Sequence, residues 1–269
     1  MATTVSTPST ERRGAHVAEV LQSEFFKFRS VRSTFWTLST AVLFNIALAG
    51  LAAIFIPRNL SGHEQSTTDP IRLSLAGVHL SQIAFGVLGT LIVTSEYGTG
   101  MIRATFAAVP QRRLVLAGKA IVFAATALIV GIASCFAAYA TFEAFLSGDS
   151  LRSSIGDPGV VRAITGGGLY LVVLGLLGLG LGTILRSSTG AIATLFALLF
   201  VPSILLTLMP QAWRTTIGPF VPMQAGSQIF VATHHEPDNL GAWTGLGVFS
   251  LYAAAALALG FGLINHRDT

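Results

Sequence analysis

The chain has 269 residues, 52% of them hydrophobic and only 10% charged, with a mean hydropathy of +0.70. Soluble domains carry about 25% charged residues, so an ordinary water-soluble protein is excluded for want of polar surface. The formal charge of +4 and the pI near 9.7 do not point to nucleic acid, because the basic residues form no stripe and gather where the chain leaves its apolar runs.

Residues 1–14 are polar and Ser/Thr-rich, with Arg12 and Arg13, and read as a disordered tail. They do not read as a cleavable signal, because the first long apolar run starts only near Phe35 and exceeds a signal h-region. Residues 15–269 then form one membrane domain.

Between Val17 and Phe35, the residues Val17, Val20, Leu21, Phe25, Phe28, Val31 and Phe35 share one face at helical spacing. Glu19, Gln22, Ser23, Arg29, Ser30 and Ser33 share the other. The pattern predicts an amphipathic helix lying in the membrane interface. Two residues break it. Glu24 falls on the apolar face and needs a partner, either Lys27 or an arginine of the loop after the second span. Phe26 falls on the polar face, a position from which an aromatic can dock into another protein.

A bilayer core is about 30 Å thick, so a helix needs roughly 20 apolar residues to cross it. Six segments qualify: Phe35–Ile56, Leu73–Thr94, Ala120–Phe142, Ala163–Leu185, Gly190–Met209 and Leu240–Ile264. Each must be helical, because backbone groups in hydrocarbon need internal partners. The expected fold is therefore an all-α integral membrane protein with six transmembrane helices. Pro202 is expected to kink the fifth. Eleven of the lysines and arginines fall on the side of the two termini and five on the other. By the positive-inside rule both termini are cytoplasmic.

After the second span comes Ser95-Glu96-Tyr97-Gly98-Thr99-Gly100-Met101-Ile102-Arg103, running on to Val109-Pro110-Gln111-Arg112-Arg113. The glycines permit a sharp change of direction, Thr99 is placed to cap a short helix, and Pro110 to end it. Ile102, Phe106 and Val109 share a face. Arg112, Arg113 and Lys119 are expected to anchor the third span at the headgroups. Such a helix, tied to spans at both ends, is suited to transmit a push from a soluble partner; the plain alternative is a basic inner loop held by lipid.

Elsewhere the signals are weaker. Asn45, His79 and Gln82 are polar residues within spans, and His79 and Gln82 share a helix face; they are candidates for lining a substrate path. Gly178 with Gly182, and Gly241 with Gly245, read as helix-packing positions. His234-His235-Glu236 with Asp238 invites a metal reading, but a solvated loop explains it better. No G-x-x-x-x-G-K-[ST] loop is present, so ATP cannot be held in the usual way. No triad or H-E-x-x-H signature supports an enzyme.

Leu21-Gln22-Ser23-Glu24-Phe25-Phe26-Lys27-Phe28-Arg29-Ser30 before a long first span resembles the start of ABC transporter permeases of the type-two exporter class. The run from Glu96-Tyr97 through Gly100, Ile102-Arg103-Ala104-Thr105, Val109-Pro110 and Arg112-Arg113 to Lys119 resembles that family's segment after the second span. The resemblance covers the six-span layout, and in motifs about a fifth of the chain. It implies a permease subunit in the cell membrane that dimerises with a second permease, the same or different, and works with two ATPase subunits. ATP and magnesium would be bound by those partners, and no cofactor by this chain. It also implies that the helix from Thr99 to Val109, with Ile102, Arg103 and Phe106, is the ATPase-coupling helix. The helix carrying Glu24, Phe26, Lys27 and Arg29 would be the connecting helix, and Trp213–Phe230 would dip back into the membrane. Without an ATPase partner, the same layout fits a small secondary transporter or a membrane anchoring scaffold.

Overall fold

The structure, a computed structural model, describes residues 9–59, 68–109, 111–146, 151–232 and 239–266; of residues 9–16, 57–59, 265 and 266 it describes the backbone alone. Every regular element among the described residues is helical. In chain order they are α1 (Ser9–Ser30), α2 (Arg32–Asn59), α3 (Pro70–Ser74), α4 (Val78–Gly98), α5 (Met101–Ala108), α6 (Arg112–Phe145), α7 (Val160–Leu185), α8 (Ser188–Thr207), α9 (Gln211–Ile217), α10 (Pro222–Ser227) and α11 (Ala242–His266), with short 3-10 turns at Gly218–Phe220 and Gln228–Phe230. Six of these, α2, α4, α6, α7, α8 and α11, are long and apolar enough to cross a membrane. The chain is an all-α, multi-pass membrane protein.

The boundaries differ from the sequence expectation in places that have physical causes. α1 is helical from Ser9, so the tail expected over residues 1–14 gives way to helix in its second half; residues 1–8 lie outside the described residues. The second span starts at Val78 rather than Leu73. Asp69 caps the separate helix α3 by accepting hydrogen bonds from the N–H groups of Ile71 and Arg72, at 3.0 and 3.3 Å. A turn then intervenes, and Gly77 lies so close to α2 that a Cβ there would come within 2.5 Å of the Asn45 Cα. Hydropathy does not register such a turn, because its residues are as apolar as the helix that follows. α6 runs 34 residues, about 51 Å at 1.5 Å per residue. It is longer than a 30 Å hydrocarbon core requires. α8 continues through Pro202.

α7 is the central post, buried on most sides against α4, α6 and α11. Its glycines allow this. A Cβ on Gly89 of α4 would run into the backbone of Gly175, and one on Gly178 would meet the Gly86 carbonyl. The pair Gly178 and Gly182 therefore packs as expected, against Gly86, Thr90 and Thr94, and Gly245 packs against the Ala225 carbonyl.

The segment from Gly218 to Val231 folds back onto this core, while α9 before it is exposed. Gly226 lies against Tyr170 and Phe249, and Ile229 fills the space left by Gly166. Its end is tied down twice: Asp69 Oδ2 accepts from the Ala232 N–H at 2.7 Å, and Arg162 donates to the Val231 carbonyl at 2.9 Å.

Candidate functional site

α1 ends one residue short of α2 and packs mainly on α6. Its buried side is not quite the one the apolar pattern predicts. Val17, Phe25, Val31 and Phe35 are exposed, whereas Val20 and Glu24 are buried. α1 approaches α6 at Gly118, where a Cβ would meet Val20 Cγ1 at 3.1 Å and Glu24 Cγ at 3.7 Å. That contact delivers Glu24 to the neighbouring Lys119.

Four charged side chains close into a ring there. Glu24 Oε1 accepts from Lys27 at 2.9 Å and Glu24 Oε2 from Lys119 at 2.7 Å. Glu96 Oε1 accepts from Lys119 at 2.5 Å and from Lys27 at 3.4 Å. Glu24, Glu96 and Lys119 are 3–5% exposed, while the Lys27 side chain is 38% exposed. The formal charges cancel, as they must for ions withdrawn from water. Burial alone would lower the Lys27 pKa, but its hydrogen bond to Glu24 and the charges of Glu24 and Glu96 outweigh this and raise it above the ordinary 10.5.

One expectation is met and one is corrected here. Glu24 pairs with Lys27, the first of the two partners expected, and has a second in Lys119 of α6. Lys119 is no headgroup anchor: it is buried inside the ring. Arg112, also expected at the headgroups, lies with its guanidinium 5.3 Å from the Phe106 ring and donates to the Ile264 carbonyl at 3.2 Å. It thereby joins α5 to the end of α11.

α5 is shorter than the expected Thr99–Val109 helix. Its N-cap is Gly100, held at φ +73°, in the left-handed region that glycine enters without strain. Thr99 does not cap α5; its hydroxyl donates back to the Ser95 carbonyl at 2.9 Å. Ile102 and Phe106 are buried within this chain, against Val93, Val115, Leu116, Leu179 and Ile264, and Val109 is packed against the same cluster. The face left exposed carries Met101, Arg103, Ala104, Ala107 and Ala108. Lys27 donates to Thr105 Oγ1 at 3.5 Å, which links α5 to the ring. α1, α4, α5 and α6 are thus fastened together at one end of the bundle. On α1, Phe26 and Arg29 stay exposed, Phe26 edge-on to Phe25.

The other predicted polar residues lie elsewhere. Gln82 is fourteen positions before Glu96 on α4, about 21 Å along the helix. Asn45 and Gln82 are fully buried and tie helices together: Asn45 donates to Ser134 Oγ at 2.9 Å, and the Tyr170 hydroxyl donates to Gln82 Oε1 at 2.5 Å. His79 is half-buried, edge-on to Phe230. Asn45 and Gln82 thus lie in the interior of the chain, and His79 at its edge. His234, His235, Glu236 and Asp238 lie outside the described residues, and among the described residues no cluster of metal-binding side chains is found.

The sequence alone does not show the ring. Its signal was present as three ionisable residues in apolar settings: Glu24 on the apolar face of α1, Glu96 at the end of a span, and Lys119 next to one. No family model matches this chain, and no curated protein matches it.

Proposed function

We propose that the chain is the membrane-spanning permease subunit of an ATP-driven exporter in the cell membrane. In this reading it forms the substrate path with a second permease and is driven by two separate ATPase subunits that bind ATP and magnesium. The observation that carries the reading is that α5 packs through Ile102 and Phe106 onto α4 and α6 and accepts a hydrogen bond from Lys27 at Thr105, while the Glu24–Lys27–Glu96–Lys119 ring ties α1, α4 and α6 together beside it. A partner pressing on α5 cannot move it alone. The ring, together with the Ile102 and Phe106 packing, transmits the displacement to two spans at once. The resemblance in sequence around Glu24 and from Glu96 to Lys119 supports the same assignment, and the excess of basic residues on the side of the termini favours a cytoplasmic α5.

The partner-facing residues are then the exposed ones, Arg103, Ala104 and Ala107, rather than Ile102 and Phe106, whose substitution by charge would disrupt this chain's own core. The test is purification of the tagged chain from its native membrane in mild detergent. An ATP-hydrolysing subunit should copurify, and Arg103→Glu with Ala107→Glu should release it or uncouple its turnover without lowering the melting temperature of the permease. Absence of any copurifying ATPase would sink the proposal.

A further inference from the structure

α9 is held by little of its own chain. None of its seven residues, Gln211–Ile217, is buried, and Trp213 and Ile217 are 53% and 43% exposed. Spaced i, i+4, these two share a face, while Gln211, Arg214 and Thr215 share the other. A helix this short is not stable alone in water, so its apolar side needs a cover from outside the chain.

Three observations point to lipid. The fifth span, α8, leads straight into α9 and buries the smallest share of its length of the six spans. Its last turns expose Val201, Ile204 and Leu205, and Leu208 follows at 79%, so the apolar strip that meets lipid continues into α9. At the same end Trp243 stands 60% exposed at the start of α11, and exposed tryptophans mark the level of the bilayer interface. Beyond α9, the Tyr252 hydroxyl donates to the Phe220 carbonyl at 3.2 Å. Tyr252 lies ten positions after Ala242, the first residue of α11. The chain after α9 therefore runs down beside the sixth span rather than standing clear of it.

The polar groups of α9 fit that setting. Thr215 Oγ1 donates to the carbonyls of Gln211 and Ala212, each at 3.2 Å, and Thr216 Oγ1 to that of Ala212 at 2.8 Å, so neither hydroxyl needs water. The first turn has no side-chain cap, and its N–H groups keep their water in the headgroup layer, as they would not among acyl chains. Arg214 supplies the positive charge that pairs with a lipid phosphate. We propose that α9 is seated in the lipid interface at the end of the bundle away from the termini, with Trp213 and Ile217 in the acyl boundary and the Gln211 and Arg214 side against the headgroups. This seat is formed by a single chain and does not depend on the exporter reading.

The test makes Trp213 the sole tryptophan of the chain, through Trp36→Phe and Trp243→Phe, in purified protein reconstituted into phosphatidylcholine vesicles. Phosphatidylcholines brominated near the headgroup end of the acyl chain, or near its methyl end, report depth. The shallow bromines should quench Trp213 emission about twofold more than the deep ones, and acrylamide in the water should quench it only weakly. Protection from both quenchers would place α9 against protein, as in a contact between two copies of this chain, and quenching by acrylamide alone would place it in water. Stronger quenching by the deep bromines would put it below the interface. Each of these three results would overturn the proposal. Should the double variant fail to fold, spin labels on Gln211→Cys, Trp213→Cys, Thr215→Cys and Ile217→Cys carry the same test, because the native Cys135 is buried. Labels at 213 and 217 should then favour dissolved oxygen over a water-soluble nickel complex, and those at 211 and 215 the reverse; the absence of that alternation would likewise overturn it.

Discussion

Glu24 and Lys119 stand 95 residues apart in the chain and meet at 2.7 Å with both side chains almost wholly buried. Breaking a buried pair by removing one partner costs about 3–5 kcal/mol, because the other charge is left uncompensated. Lys119→Met and Glu24→Gln should each destabilise the protein by about that amount. Replacing both together should cost less than the two singles combined, since each single leaves a charge behind. Thermal unfolding of the four proteins in one detergent provides the cycle; additive losses would mean that the two groups do not act as a pair.

The pH dependence of the ring follows from Lys27. Its folded pKa is raised above the ordinary 10.5 by its partners. A raised folded value means that its contribution is fully present below the unfolded pKa and is lost as pH climbs through the folded one. The stability gap between wild type and Lys27→Met should therefore be constant from pH 7 to about 10 and close above 10.5. A gap that closes on acidification would place the titrating group elsewhere. Melting temperatures of the two proteins across that range decide the point.

Gly89 packs against the backbone of Gly175, with no room for a side chain between α4 and α7. Gly89→Val should separate these helices, with a loss in the upper range for overpacking, about 3 kcal/mol. Gly98→Val, at a position with open space around it, should cost far less. The comparison controls for the change in helix propensity, and equal losses in the melting temperature would show that the close approach is unimportant.

Much of the fold was legible because the bilayer imposes a simple length rule, and six apolar runs satisfied it. The rule failed where hydropathy carries no shape. The turn at Leu75–Gly77 is as apolar as the span beyond it, and the extension of α6 back to Arg112 begins in residues that look like an inner loop. Gly178 and Gly182 were recognisable as packing positions from their spacing, but Gly89 and Gly175 meet across two helices and share no local pattern. At the candidate site, Glu24 announced itself by sitting on the wrong face of α1. Its partner Lys119 did not, because a lysine beside a span is ordinarily a headgroup anchor, and only the fold brings α1 over Gly118. The same limit applies to Ile102 and Phe106. Their shared face was visible, but sequence does not say whether an apolar face packs inward on its own chain or outward on another protein.

On the proposed exporter reading, the exposed face of α5 meets an ATP-hydrolysing subunit. Incorporation of benzoylphenylalanine at Ala107, followed by illumination of intact cells, measures this most directly. One dominant adduct between this chain and an ATPase is expected, lost when the photoreactive residue is moved to Leu251, which is exposed on α11. Adducts at Ala107 with lipid alone, in cells where the permease is folded and abundant, would contradict it.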